Sequence, residues 1–145
     1  MAFTINTQFL KTINGMLKIL EFVLVFIVLM LARFGGQNGF MISWGSTNYT
    51  FLGIGSSVGY AIIIPAIVLS YLLGATPSVL EFIINLVGGV LFISMGATLV
   101  PMDFPIQAIV GGLAITLGIV FLADFIYLCV TTKFTVYQTT TTIRA

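Results

Sequence analysis

Residues 51–73 read FLGIGSSVGYAIIIPAIVLSYLL, from Phe51 to Leu73 without one charged side chain. A helix rises about 1.5 Å per residue, so a run of this length covers the roughly 30 Å hydrocarbon layer of a bilayer. The apolar residues are continuous rather than alternating, which argues against membrane strands. Three more segments share this character: about Met16–Phe34, Val79–Val100 and Ile106–Val130, the last with one charge inside. Together they predict an all-α, integral-membrane four-helix up-down bundle. The spans lie at about 16–34, 51–73, 79–100 and 106–130, within one domain over 16–130.

Composition agrees. Of 145 residues, 59% are hydrophobic and 6% charged, against about a quarter charged in a soluble domain. So few charges cannot cover a water-facing surface, and lipid must cover the rest. A net charge of +1 gives no reason to expect nucleic acid as a partner. Histidine is absent, which removes the commonest proton-transfer side chain at neutral pH. The single Cys129 cannot form an internal disulfide. The first apolar run is not followed by a small-x-small cleavage pattern and reads as a retained span. Ala2 does not fit myristoylation, and the final TIRA is not a prenylation box.

The expected connections are short: Gly35–Thr50, then GATPS at 74–78 and PMDFP at 101–105. Turns this short make consecutive helices antiparallel neighbours. Lys11 and Lys18 flank the start of the first span, and Lys133 and Arg144 follow the last; only Arg33 lies on the opposite side. The positive-inside rule then places both termini in the cytoplasm. Residues 1–15 form a cytoplasmic segment, and the threonine-rich residues 131–145 a flexible cytoplasmic tail.

Few side chains could carry chemistry. Asp124 lies six residues inside the end of the fourth span, about 9 Å deep, where a charge requires a partner or a proton. Lys18 and Glu21 sit toward the same side, at an i,i+3 spacing that puts them on one helix face. These three are expected to form a structural polar layer joining spans one and four. A proton or ion site at Asp124 is the functional alternative. Ser78-Val-Leu-Glu81 has capping-box spacing and reads as a helix start, with Glu81 as an intramembrane acid the other reading.

Small residues mark helix contacts. Gly55 and Gly59 form a GxxxG in span two; Asn85, Gly88, Phe92 and Gly96 share a face of span three with Glu81; Gly111, Ala114 and Gly118 share one in span four. Packing within one bundle is expected, with homo-oligomerisation the alternative. Pro65 is expected to kink span two. Phe40, Trp44 and Tyr49 are candidate outer-loop contacts at headgroup level. Asn48-Tyr-Thr50 is a glycosylation sequon close against the second span, where modification is not expected. Cys129, at the inner boundary, is either a palmitoylation site or an inert apolar residue. Nothing here pairs a nucleophile with a base or gathers a metal or cofactor set, so no catalytic, cofactor or metal residue is assigned.

The opening of span one, NGMLKILEFVL at 14–24, resembles the G-x-L-K-x-x-E pattern of the MARVEL group of four-span proteins. The general pattern extends over about 120 residues. The glycine-rich ARFGGQNG at 32–39 and NLVGGVLFI at 85–93 are similar to insect snakeskin-type proteins of smooth septate junctions. The chain departs from claudins, having no cysteines after Trp44-Gly45 in that loop. It lacks the large cysteine-paired outer loop of tetraspanins and the long tail of occludin.

The resemblance implies a non-enzymatic protein that organises membrane apposition, junctions or vesicle traffic. A structural component of septate-type cell junctions in an epithelial barrier is the leading expectation. Its partners would be the lipid bilayer and other junction proteins, and its location the plasma membrane at cell contacts. An ion-pathway or proteolipid-like subunit using Asp124 is the alternative, and a vesicle-trafficking protein a further one.

Overall fold

A computed structural model describes residues 11–36, 42, 47–74, 76, 79–101 and 104–131. It holds four helices: α1 (Ile13–Phe34), α2 (Thr47–Leu72), α3 (Val79–Leu99) and α4 (Pro105–Thr131). Each is long and apolar enough to cross a membrane, and no strand occurs among the described residues. These helices mark the chain as a multi-pass membrane protein. Its outer surface fits that reading, since Phe51, Ile62, Val79, Ile126 and Val130 are each at least 60% exposed. In water such a surface would be an aggregation hazard.

The ends have local causes. Thr12 caps α1, its hydroxyl accepting from the Gly15 amide at 3.2 Å. After α1 the chain folds back: the Ile42 amide donates to the Ala32 carbonyl at 2.9 Å, and the Ile42 side chain is buried. Gly74, at φ +87°, ends the α2 turn in a left-handed conformation that favours glycine. Pro105 opens α4 at the first helical position, where a missing amide hydrogen is harmless.

Two boundaries differ from expectation. Helix α1 begins three residues earlier, at the Thr12 cap. Helix α2 begins at Thr47, so the expected 35–50 loop gives up its last four residues. The stretch TNYT holds no glycine or proline to stop a helix growing outward from the apolar span. Asn48 and Tyr49 therefore belong to the first turn of α2. Phe40, Trp44, Ser78, residues 1–10 and the 132–145 tail lie outside the described residues. Helix α2 runs on through Pro65, leaving the Ala61 carbonyl without its usual i+4 donor.

Helices α3 and α4 form the closest pair, and glycines are the reason. A Cβ built at Gly96 would lie 2.5 Å from the Gly111 oxygen, and one at Gly111 would lie 2.9 Å from the Gly96 oxygen. One at Gly118 would meet the Gly89 oxygen at 2.8 Å. Backbone touches backbone along this seam, the contact that small residues permit where lipid supplies no hydrophobic drive. Helix α1 packs against α2 and α4, and α2 closes the ring against α3 more loosely. Gly88 lies under the Tyr60 ring, 2.7 Å from it to a built Cβ. Tyr60, Phe92 and Phe121 fill the centre with centroids 5.1–5.7 Å apart.

The GxxxG of span two behaves otherwise. A Cβ at Gly55 or Gly59 would meet nothing within 4 Å. The expected close packing at these two glycines is therefore absent among the described residues. The buried face of α2 is set instead by Gly53, Ser57, Tyr60 and Ile64, and Gly55 points away from it.

Candidate functional site

The cluster forms at the end of the bundle where α1 and α3 begin and α2 and α4 finish. Up-down topology brings the first turns of two helices to the level of the last turns of the other two. Lys18 from α1, Tyr71 from α2, Glu81 and Asn85 from α3, and Asp124 from α4 meet there. Lys18 stands at its centre, wholly buried.

An ammonium has three N–H donors. Those of Lys18 point to Glu21 Oε2 at 2.9 Å, Asn85 Oδ1 at 2.8 Å and Asp124 Oδ2 at 2.5 Å. Glu81 Oε1 lies further out, 3.5 Å from Nζ. The Asn85 amide group turns its oxygen to Lys18 and its nitrogen to Asp124 Oδ2, at 2.8 Å. On the other flank the Tyr71 hydroxyl donates to Glu81 Oε2. Asn14 Nδ2 in turn donates to the Tyr71 oxygen at 3.4 Å. The network thus ties all four helices together through side chains.

The expected polar layer of Lys18, Glu21 and Asp124 is present, and it is larger than the sequence reading made it. Glu81 belongs to it: that carboxyl contacts Tyr71 and Lys18, while Ser78, its expected capping partner, lies outside the described residues. Asn85 was read as a helix-packing residue, yet it bridges the ion pair. Tyr71 and Asn14 were not singled out. A register signal was available for Asn85: Gly89 with Gly118 and Gly96 with Gly111 align α3 against α4. Carried one turn further, that antiparallel alignment sets Asn85 beside Asp124.

Other candidates lie elsewhere. Gly96, Gly111 and Gly118 are in the α3–α4 seam, and Ala114 is buried in the core. Cys129 is exposed and free. Arg33 sits at the far end of α1, its guanidinium 5.1 Å above the Phe34 ring. Among the described residues, no group of three His, Cys, Asp or Glu side chains has an arrangement that could hold a metal ion.

Asn85→Leu tests the bridge. Leucine keeps the bulk and removes two charge-assisted hydrogen bonds, so a loss of about 1–2 kcal/mol is expected, near the upper end for polar contacts between membrane helices. Denaturation of the purified protein in bicelles, followed by circular dichroism, reads it.

Compared with protein-family models, curated proteins and solved structures, the chain matches none of them.

Proposed function

We propose that this chain is a non-enzymatic membrane-organising protein, a structural component of septate-type cell junctions that acts through lateral helix contacts and its short outer loops. One observation carries the structural part: Lys18, Glu21, Glu81 and Asp124 at one end of the bundle are turned onto one another, and Tyr71 of α2 joins them in a four-helix lock. They are used for assembly, which leaves an apolar lateral surface as the face offered to neighbours. Lys18 and Glu21 of the lock belong to the NGMLKILEFVL stretch that resembles MARVEL proteins, and the junctional part rests on that resemblance and on the likeness to snakeskin-type proteins. The partners would be other junction proteins or further copies of the chain. The pairing of Asp124 with Lys18 and Asn85 counts against a conducting acid of the proteolipid kind.

Endogenous tagging in a polarised epithelium tests the junctional role. The tag is expected at lateral cell contacts, and knock-down is expected to open the barrier to a paracellular tracer. A wholly intracellular signal would favour vesicle traffic, and an intact barrier after knock-down would overturn the junctional reading.

A further inference from the structure

We propose that the groove between α1 and α2 is a binding site for one acyl chain of an anionic glycerophospholipid, whose headgroup is held by Lys11.

The groove has a volume of ≈390 Å³ and is lined by Ile19 and Phe22 from α1 and by Pro65, Val68, Leu69 and Leu72 from α2. That size falls within the roughly 300–1,000 Å³ of small-molecule clefts. None of the six side chains carries a polar atom, so the chemistry that fits is hydrocarbon. A sugar, an ion or an extended peptide would bring polar groups with nothing to bond. Pro65, Val68 and Leu72 are half-buried, whereas Ile19, Phe22 and Leu69 are exposed. The groove therefore opens sideways to the bilayer, not into the bundle. Left unfilled, its lining would forfeit dispersion contacts.

Its depth matches one leaflet. Pro65 marks the inner end, and Leu72, the last residue of α2, the outer end. The distance between them is about 10 Å at 1.5 Å per residue. Half of a hydrocarbon layer is about 15 Å. An acyl chain entering at the Leu72 end thus lies against protein for most of its own leaflet. A lipid of the other leaflet reaches the groove only with the tip of its chain.

Charge selects the headgroup. Helix α1 begins where α2 finishes, and the Asn14 amide donating to the Tyr71 oxygen at 3.4 Å puts those two residues on one level. Lys11 lies beyond Asn14, exposed just before α1, on the outer side of the Leu72 end. It forms no ion pair with a described residue. Lys18, the other described cation of this end, is wholly buried and engaged by Glu21, Asn85 and Asp124. Lys11 is therefore the described cation that can meet a phosphate or carboxylate of a headgroup. The same charge argues against a second copy of the chain as the occupant. Copies inserted in one direction would bring their Lys11 side chains to one level, like charge beside like charge.

Photolabelling of the full chain in vesicles tests this. Phosphatidylserine or phosphatidylcholine carrying a mid-chain diazirine is added in trace to phosphatidylcholine vesicles, and labelled residues are mapped after illumination. The phosphatidylserine label is expected to concentrate on Ile19, Phe22 and Leu69, about fivefold above the phosphatidylcholine label, the attraction of one lysine near the surface. Lys11→Gln, outside every helix, is expected to abolish that preference and leave the weaker labelling in place. A preference that survives Lys11→Gln would overturn the headgroup assignment. Labelling spread evenly over Ile62, Val90 and Ile126, which are exposed elsewhere on the spans, would mean ordinary lipid contact and overturn the site. Equal labelling by the two lipids, or stronger labelling by a diazirine sterol, would remove the anionic lipid as ligand. Cross-linking of Leu69 to a second copy in place of lipid would make the groove an interface between chains and equally defeat the proposal.

Discussion

Lys18→Met is expected to destabilise the bundle by about 3–5 kcal/mol, the range for removing one partner of a buried ion pair. Methionine nearly matches the lysine stem in length and volume, so packing is conserved and the charge alone is lost. What remains is Glu21, Glu81 and Asp124 around an apolar tip, with Asn85 Oδ1 deprived of its donor. The loss also falls on assembly, because Lys18 reaches carboxyls on α1, α3 and α4. A control separates the charge from the site. Adding Glu21→Gln, Glu81→Gln and Asp124→Asn to Lys18→Met removes every charge of the cluster, and most of the stability is expected to return. Denaturant titration in bicelles measures both variants. If the single variant unfolds within about 0.5 kcal/mol of the wild type, a distance typical of an inconsequential surface change, the lock is not what holds the helices.

How far the sequence foretold this arrangement depends on which signal each residue carries. The spans were legible because a bilayer imposes length and apolarity, and both can be counted. The Lys18–Glu21–Asp124 layer was legible because charges inside an apolar run demand partners, and depth along each span brings these three to one level. Glu81 was harder, because a capping-box spacing supplied a sufficient local explanation. Only tertiary structure shows its carboxyl at Tyr71 and Lys18. Tyr71 gave no signal, since a tyrosine near a span end is normally a headgroup anchor. The glycines divide for a related reason. GxxxG states that a helix face is smooth, not that another helix lies on it. Gly55 and Gly59 have the spacing without a close neighbour among the described residues, while Gly89, which escaped notice beside Gly88, lies in the seam. The seven-residue steps from Gly89 to Gly96 and from Gly111 to Gly118 mirror each other, and matched spacing on two helices is the stronger sign of contact.

Gly96→Ala is expected to destabilise the protein by about 1–3 kcal/mol or more, the range for forcing extra bulk into a packed interior. The new methyl would lie 2.5 Å from the Gly111 carbonyl oxygen and 2.9 Å from the Ile115 amide nitrogen. Both are backbone atoms of α4, which no rotamer change can move aside, so the helices must separate. Gly55→Ala supplies the opposing case. It meets nothing within 4 Å, and alanine favours a helix interior over glycine by about 0.5–1 kcal/mol. Helix propensity alone predicts that both substitutions stabilise. Packing predicts opposite signs, and thermal unfolding of the two variants in detergent decides between them. Adding Gly118→Ala to Gly96→Ala is expected to cost less than the sum of the single losses, because one outward shift of α4 relieves both clashes. A fully additive pair would mean that each site yields locally, and that α3 and α4 do not move as rigid rods. Such a shift also draws Asp124 away from Asn85, now 2.8 Å apart, so the seam and the polar cluster are expected to fail together.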